Sequence, residues 1–181
     1  MRHFAVTAIG RDRPGIVAAV SSVLLEHQGN VEDSQMTILR GRFTIMLIVS
    51  TADGVDLDRL ETDLGRTSAE LGLDAIALSE VGDVEPGEEA ATPSHVVSVY
   101  GVDHPGIVQA VTSALAGLGV NIVDLTTRLA GGDEGESLYA MMMEVTLPAE
   151  QTAESVEQSL RAVREEQGVD LTIRPLEQDV L

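Results

Sequence analysis

The chain has 181 residues, and its 30 acidic side chains outnumber the 11 basic ones, which gives a formal net charge of −19. This charge predicts that the protein does not bind nucleic acid directly, because a phosphate backbone would repel it. The absence of cysteine excludes disulfide bonds, thiolate nucleophiles and cysteine-ligated zinc. The apolar runs are far too short to cross a bilayer, so we expect a cytoplasmic protein without a membrane partner.

The sequence contains an internal repeat at an offset of 91 residues. Residues 10–17, GRDRPGIV, recur as residues 101–108, GVDHPGIV, and Asn30 corresponds in the same register to Asn121. A second match in register is not plausibly chance, so the sequence predicts a duplicated domain. The predicted boundaries are residues 1–83 for the first copy, residues 84–93 for a linker rich in Pro, Gly, Glu and Ala, and residues 94–181 for the second copy.

Each copy is predicted to contain six elements in the order β, α, β, β, α, β. In the first copy, alternating apolar residues predict a strand near Phe4–Ala8, and the Asp-x-Pro-Gly sequence predicts a helix start at which Asp12 accepts hydrogen bonds from free amides. Gly29 and Asn30 are expected to end this helix. The later predicted elements are a strand over 31–39, a turn at Gly41, a strand over 43–51, a helix over 56–71 ended by Gly72, and a strand over 76–81.

The second copy repeats this order, with one longer turn over residues 131–136. Its strands are predicted near 96–100, 120–129, 138–147 and 169–173, and its helices near 106–118 and 149–167. The order predicts an α+β fold of two ferredoxin-like domains, each a four-stranded antiparallel sheet with both helices on one face. The other face is left open and each domain is small, so we expect paired domains and a homodimer.

The repeated motif resembles the ACT domain, a small regulatory module that binds amino acids. The likeness rests on a strand ending in Gly-x-Asp-x-Pro-Gly-Ile-Val, a following helix, and then Gly-Asn-Val or Gly-x-Asn-Ile, within a βαββαβ order. It covers residues 2–82 and 94–174. Two tandem ACT domains without a catalytic domain most resemble the group of glycine cleavage system transcriptional repressors.

This resemblance implies a ligand site between the first loop of one domain and the start of the second strand of a neighbouring domain. Free amides at a helix start suit a carboxylate, an aspartate suits an α-ammonium group, and an asparagine amide both donates and accepts hydrogen bonds. The implied ligand is a small amino acid such as glycine or serine. The implied ligand-binding residues are Asp12, Arg13, Gly15, Ile16 and Asn30 in the first copy, and Asp103, His104, Gly106, Ile107 and Asn121 in the second.

Structural explanations exist for the same residues. The aspartates would cap helices, the asparagines would adopt left-handed backbone after a helix, and the glycines would allow close packing. Arg13 corresponds to His104, so a fixed charge in one copy is replaced by a titrating group in the other, and the two sites need not be equivalent. The four histidines lack metal-ligand spacing, and we expect no metal and no cofactor.

The leading hypothesis is a non-catalytic regulator that binds an amino acid and controls transcription indirectly through a protein partner. The alternative is a stand-alone regulatory subunit of an amino-acid metabolic enzyme. A third hypothesis is an acylphosphatase-type enzyme, in which Arg13 and Asn30 would act on a phosphoryl group. The aspartate beside that site and the His104 replacement argue against catalysis.

Overall fold

The computed structural model describes residues 1–82, 92–131 and 137–176. The chain forms two compact units, Met1–Glu85 and Pro86–Leu181. Within the described ranges, no helix is long and apolar enough to cross a membrane. The predicted linker and the predicted 131–136 turn fall almost entirely outside the described residues.

The first unit contains six elements in the predicted order. The strands are β1 (Arg2–Arg11), β2 (Asn30–Leu39), β3 (Arg42–Thr51) and β4 (Leu73–Val81), and the helices are α1 (Ile16–Glu26) and α2 (Leu57–Leu71). All neighbouring strands are antiparallel, and the strand order across the sheet is β2-β3-β1-β4.

The second unit repeats this topology, with strand order β6-β7-β5-β8. Its strands are β5 (His95–Val102), β6 (Asn121–Ala130), β7 (Leu138–Thr146) and β8 (Val169–Pro175), and its helices are α3 (Ile107–Gly117), α4 (Ala153–Ser159) and α5 (Arg161–Gln167). The predicted α+β fold, with two four-stranded antiparallel ferredoxin-like units, is confirmed.

The alternation of apolar residues that predicted the strands also determines which side chains form the two cores. In β1, Phe4, Val6 and Ala8 are buried, whereas the residues between them are partly exposed. Their buried partners in the first unit include Ile16 and Val20 of α1, which lie on one helical face. The second core is built in the same way, with Met141 and Met143 of β7 fully buried and Met142 between them half exposed.

Three local predictions are wrong. Helix α1 ends at Glu26, and the left-handed residue that follows is Gln28, with φ +59°, so Gly29 and Asn30 do not form the cap. The predicted 149–167 helix begins only at Ala153, because Thr152 and Ser155 form a reciprocal capping box, and it is interrupted at Leu160. The third wrong prediction is that Asp12 and Asp103 cap the starts of α1 and α3, as described below.

One edge strand of each sheet is exposed on both sides. Every residue of β2 is exposed, and in β6 only Ile122 is partly buried. The helices therefore cover the inner strands and leave these edges outside the core. Apolar side chains such as Met36 and Leu129 are about half exposed there, at 46% and 52%.

Candidate functional site

The loop between the first strand and first helix has the same backbone form in both units. Gly15 and Gly106 immediately precede their helices and have φ values of +97° and +108°. A Cβ atom at Gly15 would meet nothing within 4 Å, and one at Gly106 would meet only the Gln167 side chain at an ordinary 3.6 Å. The glycines are therefore required by backbone conformation, and the explanation by close packing is wrong.

The first-turn amides of both helices lack side-chain caps. Among the described residues, no side chain accepts a hydrogen bond at the start of α1 or α3. Asp12 and Asp103 are exposed, and their main-chain amides instead donate to the carbonyl oxygens of Gly41 and Ser137, each at 2.9 Å. The prediction that these aspartates cap the helices is wrong. Their carboxylates lie within a few residues of uncapped helix starts, which are favourable places for an anion.

Ile16 and Ile107 are the first helical residues and are buried, at 1% and 2% exposure. Their side chains belong to the two cores. The side chains of Ile16 and Ile107 are therefore not available for contact with a ligand.

Arg13 and His104 each reach the C-terminal end of the last helix of their own unit, α2 in the first unit and α5 in the second. The Arg13 Nη2 atom donates to the carbonyl oxygen of Glu70 at 3.3 Å, and the His104 Nε2 atom lies 2.8 Å from the carbonyl oxygen of Gln167. Cationic side chains are favourable there, because the last carbonyls of a helix have no partner within it. Both side chains thus tie the candidate loop to a helix end, a role that the repeat alone did not predict.

His104 makes a second contact through its other ring nitrogen. Its Nδ1 atom lies 3.1 Å from the carbonyl oxygen of Pro105. The hydrogen bonds to Gln167 and Pro105, together with the nearby Asp103 carboxylate, raise the pKa of His104 above its ordinary value. Two carbonyl acceptors match the protonated ring, because only imidazolium donates from both nitrogens.

Asn30 and Asn121 lie at the opposite end of each sheet from these loops. Asn30 is paired with Ser50, which is paired in turn with His3 near the start of β1. The loop follows Arg11, eight residues further along β1, so about 26 Å of strand separates the two regions. Asn121 is placed in the same way, opposite Thr146 at the end of β7.

Both asparagines occupy the first position of a strand. The left-handed backbone predicted for Asn30 and Asn121 occurs at Gln28 and Gly119 instead, with φ values of +59° and +72°. The explanation by left-handed conformation is therefore wrong for Asn30 and Asn121.

This arrangement has two consequences for the predicted sites. Arg13 and Asn30 do not converge, so the constellation required by the acylphosphatase hypothesis is not formed in the first unit. Within one unit, a small ligand cannot contact both the loop and the asparagine.

Comparisons with known proteins agree with the fold. The family model described as ACT domain matches the chain twice, over residues 2–77 and 95–174. The glycine cleavage system transcriptional repressor of Escherichia coli is 28% identical over 164 residues, which are 89% of this chain and 83% of the repressor. A UPF0237 protein from Methanopyrus kandleri is 43% identical over 81 residues, 44% of this chain and 90% of that protein.

A solved structure matches almost the whole chain. The crystal structure of an unknown protein from Galdieria sulphuraria has a TM-score of 0.78 and 32% sequence identity, and the match covers 97% of this chain and 98% of that one. The predicted likeness to tandem ACT proteins of the repressor group is thus confirmed. The chain belongs to the ACT domain family and carries two copies of the domain in tandem.

Proposed function

We propose that the protein is a non-catalytic regulator that binds a small amino acid, with glycine or serine as the first candidates. The observation that carries the proposal is the pair of matching loops, in which a left-handed glycine precedes uncapped helix amides and an exposed aspartate lies nearby. The amides suit the α-carboxylate of the ligand, and Asp12 or Asp103 suits its ammonium group. Membership of the ACT family supports the same ligand class.

The regulatory output is proposed to pass through a protein partner. The similar Escherichia coli protein is a glycine cleavage system transcriptional repressor, which favours an effect on transcription. The net charge of −19 makes direct contact with DNA unfavourable, so a DNA-binding partner would carry the contact. Ligand and partner binding become coupled if the ligand has different affinities for the partner-bound and free arrangements.

Ligand binding is tested by isothermal titration of the full chain with each of the twenty amino acids at millimolar concentration. We expect heat and a rise in melting temperature with one or a few small amino acids. The double variant Asp12→Asn and Asp103→Asn should weaken binding at least about tenfold, because it removes the charge that pairs with the ammonium group. Asp58→Asn, at an exposed position in the first turn of α2, is the matched control. If none of the twenty amino acids gives heat or a shift in melting temperature, the proposal that the protein binds an amino acid is refuted.

The partner class is tested by affinity capture with and without the amino acid that binds. A transcription factor that is captured in a ligand-dependent manner supports the proposed output. A metabolic enzyme as the ligand-dependent partner would support the alternative, a stand-alone regulatory subunit, and would replace the transcriptional part of the proposal.

A further inference from the structure

The end of the first sheet that lies beside the β1–α1 loop carries three arginines close together. Arg11 ends β1, Arg42 begins β3, and Arg40 lies in the two-residue turn between β2 and β3. All three are exposed, and together they are called the arginine cluster below. A local concentration of positive charge is unexpected in a chain with 30 acidic and 11 basic side chains.

Two members of the cluster project from the same face of the sheet. Arg11 is directly opposite Arg42 in the antiparallel pairing of β1 with β3. Their strand neighbours, Gly10 and Phe43, are buried on the helix side, so the two arginines lie on the open face. Their Cβ atoms are about 5 Å apart, and like charges at directly opposed positions destabilise a sheet. An anion bound between the two side chains would remove this repulsion.

Within the described part of the chain, one arginine of the cluster has an acidic partner and two have none. The Arg42 guanidinium contacts the carboxylate of Asp74. Neither Arg11 nor Arg40 is in an ion pair with a described residue, and the carboxylate of the adjacent Asp12 is not paired with them. The cluster therefore keeps two positive charges without a counter-ion.

The backbone at Arg40 does not favour an arginine. Arg40 and Gly41 have φ values of +50° and +76°, as in the two-residue hairpin turn whose first position prefers asparagine, aspartate or glycine. Left-handed backbone is unfavourable for a residue with a Cβ atom. An unfavourable residue in such a turn points to a role for its side chain outside the fold.

The second unit forms the same topology without these arginines. Val102 and Leu138 occupy the positions of Arg11 and Arg42, and they are paired with each other in the same register. Both apolar side chains are about half exposed, at 44% and 50%. The fold therefore accepts an apolar pair at this place, and the paired arginines are a property of the first unit alone.

We propose that the arginine cluster binds the phosphate group of a small phosphorylated molecule. A phosphate monoester carries about 1.5 to 2 negative charges at neutral pH, which matches the two charges left on Arg11 and Arg40. Guanidinium groups also suit phosphate geometrically, because their planar forks donate two parallel hydrogen bonds to its oxygens. This inference does not rest on the proposed binding of an amino acid.

The charge of the whole chain selects a small ligand. A long polyanion such as a nucleic acid would extend beyond the cluster, where a protein with a net charge of −19 repels it. A single phosphate group requires only the exposed row of arginines at the end of the sheet.

Binding is tested by NMR titration of the full chain with methyl phosphate and with inorganic phosphate, at constant ionic strength. Both compounds should give saturable shifts at the main-chain amides of Arg11 and Gly41, and neither should shift the amide of Val102. Acetate, which carries a single charge, should bind at least about tenfold more weakly.

Residues taken from the second unit provide the variants. Arg11→Val and Arg42→Leu introduce the side chains that the fold already accepts at these positions, and each should raise the dissociation constant for methyl phosphate at least about tenfold. Arg59→Leu removes the same charge from an exposed position of α2 and should change the constant less than about twofold. Circular dichroism checks that each variant is folded.

A further variant separates this site from the candidate amino-acid site. Asp12→Asn with Asp103→Asn should not weaken the binding of methyl phosphate, because no positive charge is removed. The proposal is overturned if neither phosphate compound gives saturable shifts, if acetate binds as tightly, or if Arg59→Leu weakens binding as much as Arg11→Val. Tighter binding of a single-stranded DNA oligonucleotide that depends on Arg11 would also overturn it.

Discussion

The Nε2 atom of His104 lies 2.8 Å from the carbonyl oxygen of Gln167, the last residue of α5. The equivalent residue of the first unit, Arg13, donates to the carbonyl oxygen of Glu70 near the end of α2. The same structural link is therefore made by a titrating side chain in one unit and by a permanently charged one in the other. The two copies therefore differ in the side chain that connects the candidate loop to the helix end, Arg13 in the first unit and His104 in the second.

The first prediction is that the contact between the candidate loop and the helix end depends on pH in the second unit and not in the first. The pKa of His104 is raised in the folded protein, so its favourable contribution is fully present below the ordinary value of 6.5. The contribution decreases as the pH rises from there through the raised pKa, and it is absent at higher pH. Hydrogen exchange should show that the amides around Gln167 lose protection over this range, while those around Glu70 do not.

Exchanging the two residues provides the control for this prediction. His104→Arg should abolish the pH dependence at the end of α5, and Arg13→His should create one at the end of α2. An NMR titration that gives His104 a pKa at or below 6.5 would contradict the proposed link.

The second prediction concerns the backbone of the candidate loop. Gly15→Ala should destabilise the first unit by about 1–2 kcal/mol, because φ +97° is unfavourable for any residue with a Cβ atom even though the space is free. Gly65→Ala is the matched control, since Gly65 lies inside α2 with no atom within 4 Å of a Cβ. It should stabilise the same unit by about 0.5–1 kcal/mol. Thermal unfolding of both variants measures the change in stability. Equal changes for the two variants would contradict the conclusion that Gly15 is required by its left-handed backbone.

The third prediction tests the core of the first unit. Leu60 is 1% exposed, and Leu60→Ala should cost about 2–5 kcal/mol of unfolding free energy. Leu25 is 74% exposed in the same unit, so Leu25→Ala should change the free energy by less than about 0.5 kcal/mol. Urea denaturation, read by a probe in the first unit, separates the two cases. If Leu60→Ala lowers the unfolding free energy only slightly, the buried face of α2 has been assigned incorrectly.

The topology was predictable from the sequence because local patterns and the repeat agree. Alternation in β1 places Phe4 and Val6 in the core, and the α2 helix is delimited by Asp56, whose side chain accepts from the Arg59 amide, and by Gly72 at φ +59°. These are short-range signals that packing did not override. The duplicated motif then fixed the same order in the second unit.

The details of the candidate site could not be predicted in the same way. An aspartate before Pro-Gly is compatible with capping, but the left-handed Gly15 occupies the cap position and the Asp12 amide bonds to Gly41. The contacts of Arg13 and His104 depend on where a helix more than fifty residues away ends. The separation of Asn30 from the loop follows from strand register, which motif spacing does not reveal.

Amino-acid binding at the two loops is tested most directly by an NMR titration of the full chain with glycine and with serine, read at the main-chain amides. We expect the amide resonances of Ile16 or Ile107, at the uncapped helix starts, to shift in a saturable manner, together with those of Asn30 or Asn121. The double variant Asp12→Asn and Asp103→Asn should weaken this response. Saturable shifts confined to residues away from both loops, or no shifts with any amino acid, would contradict binding at the loops.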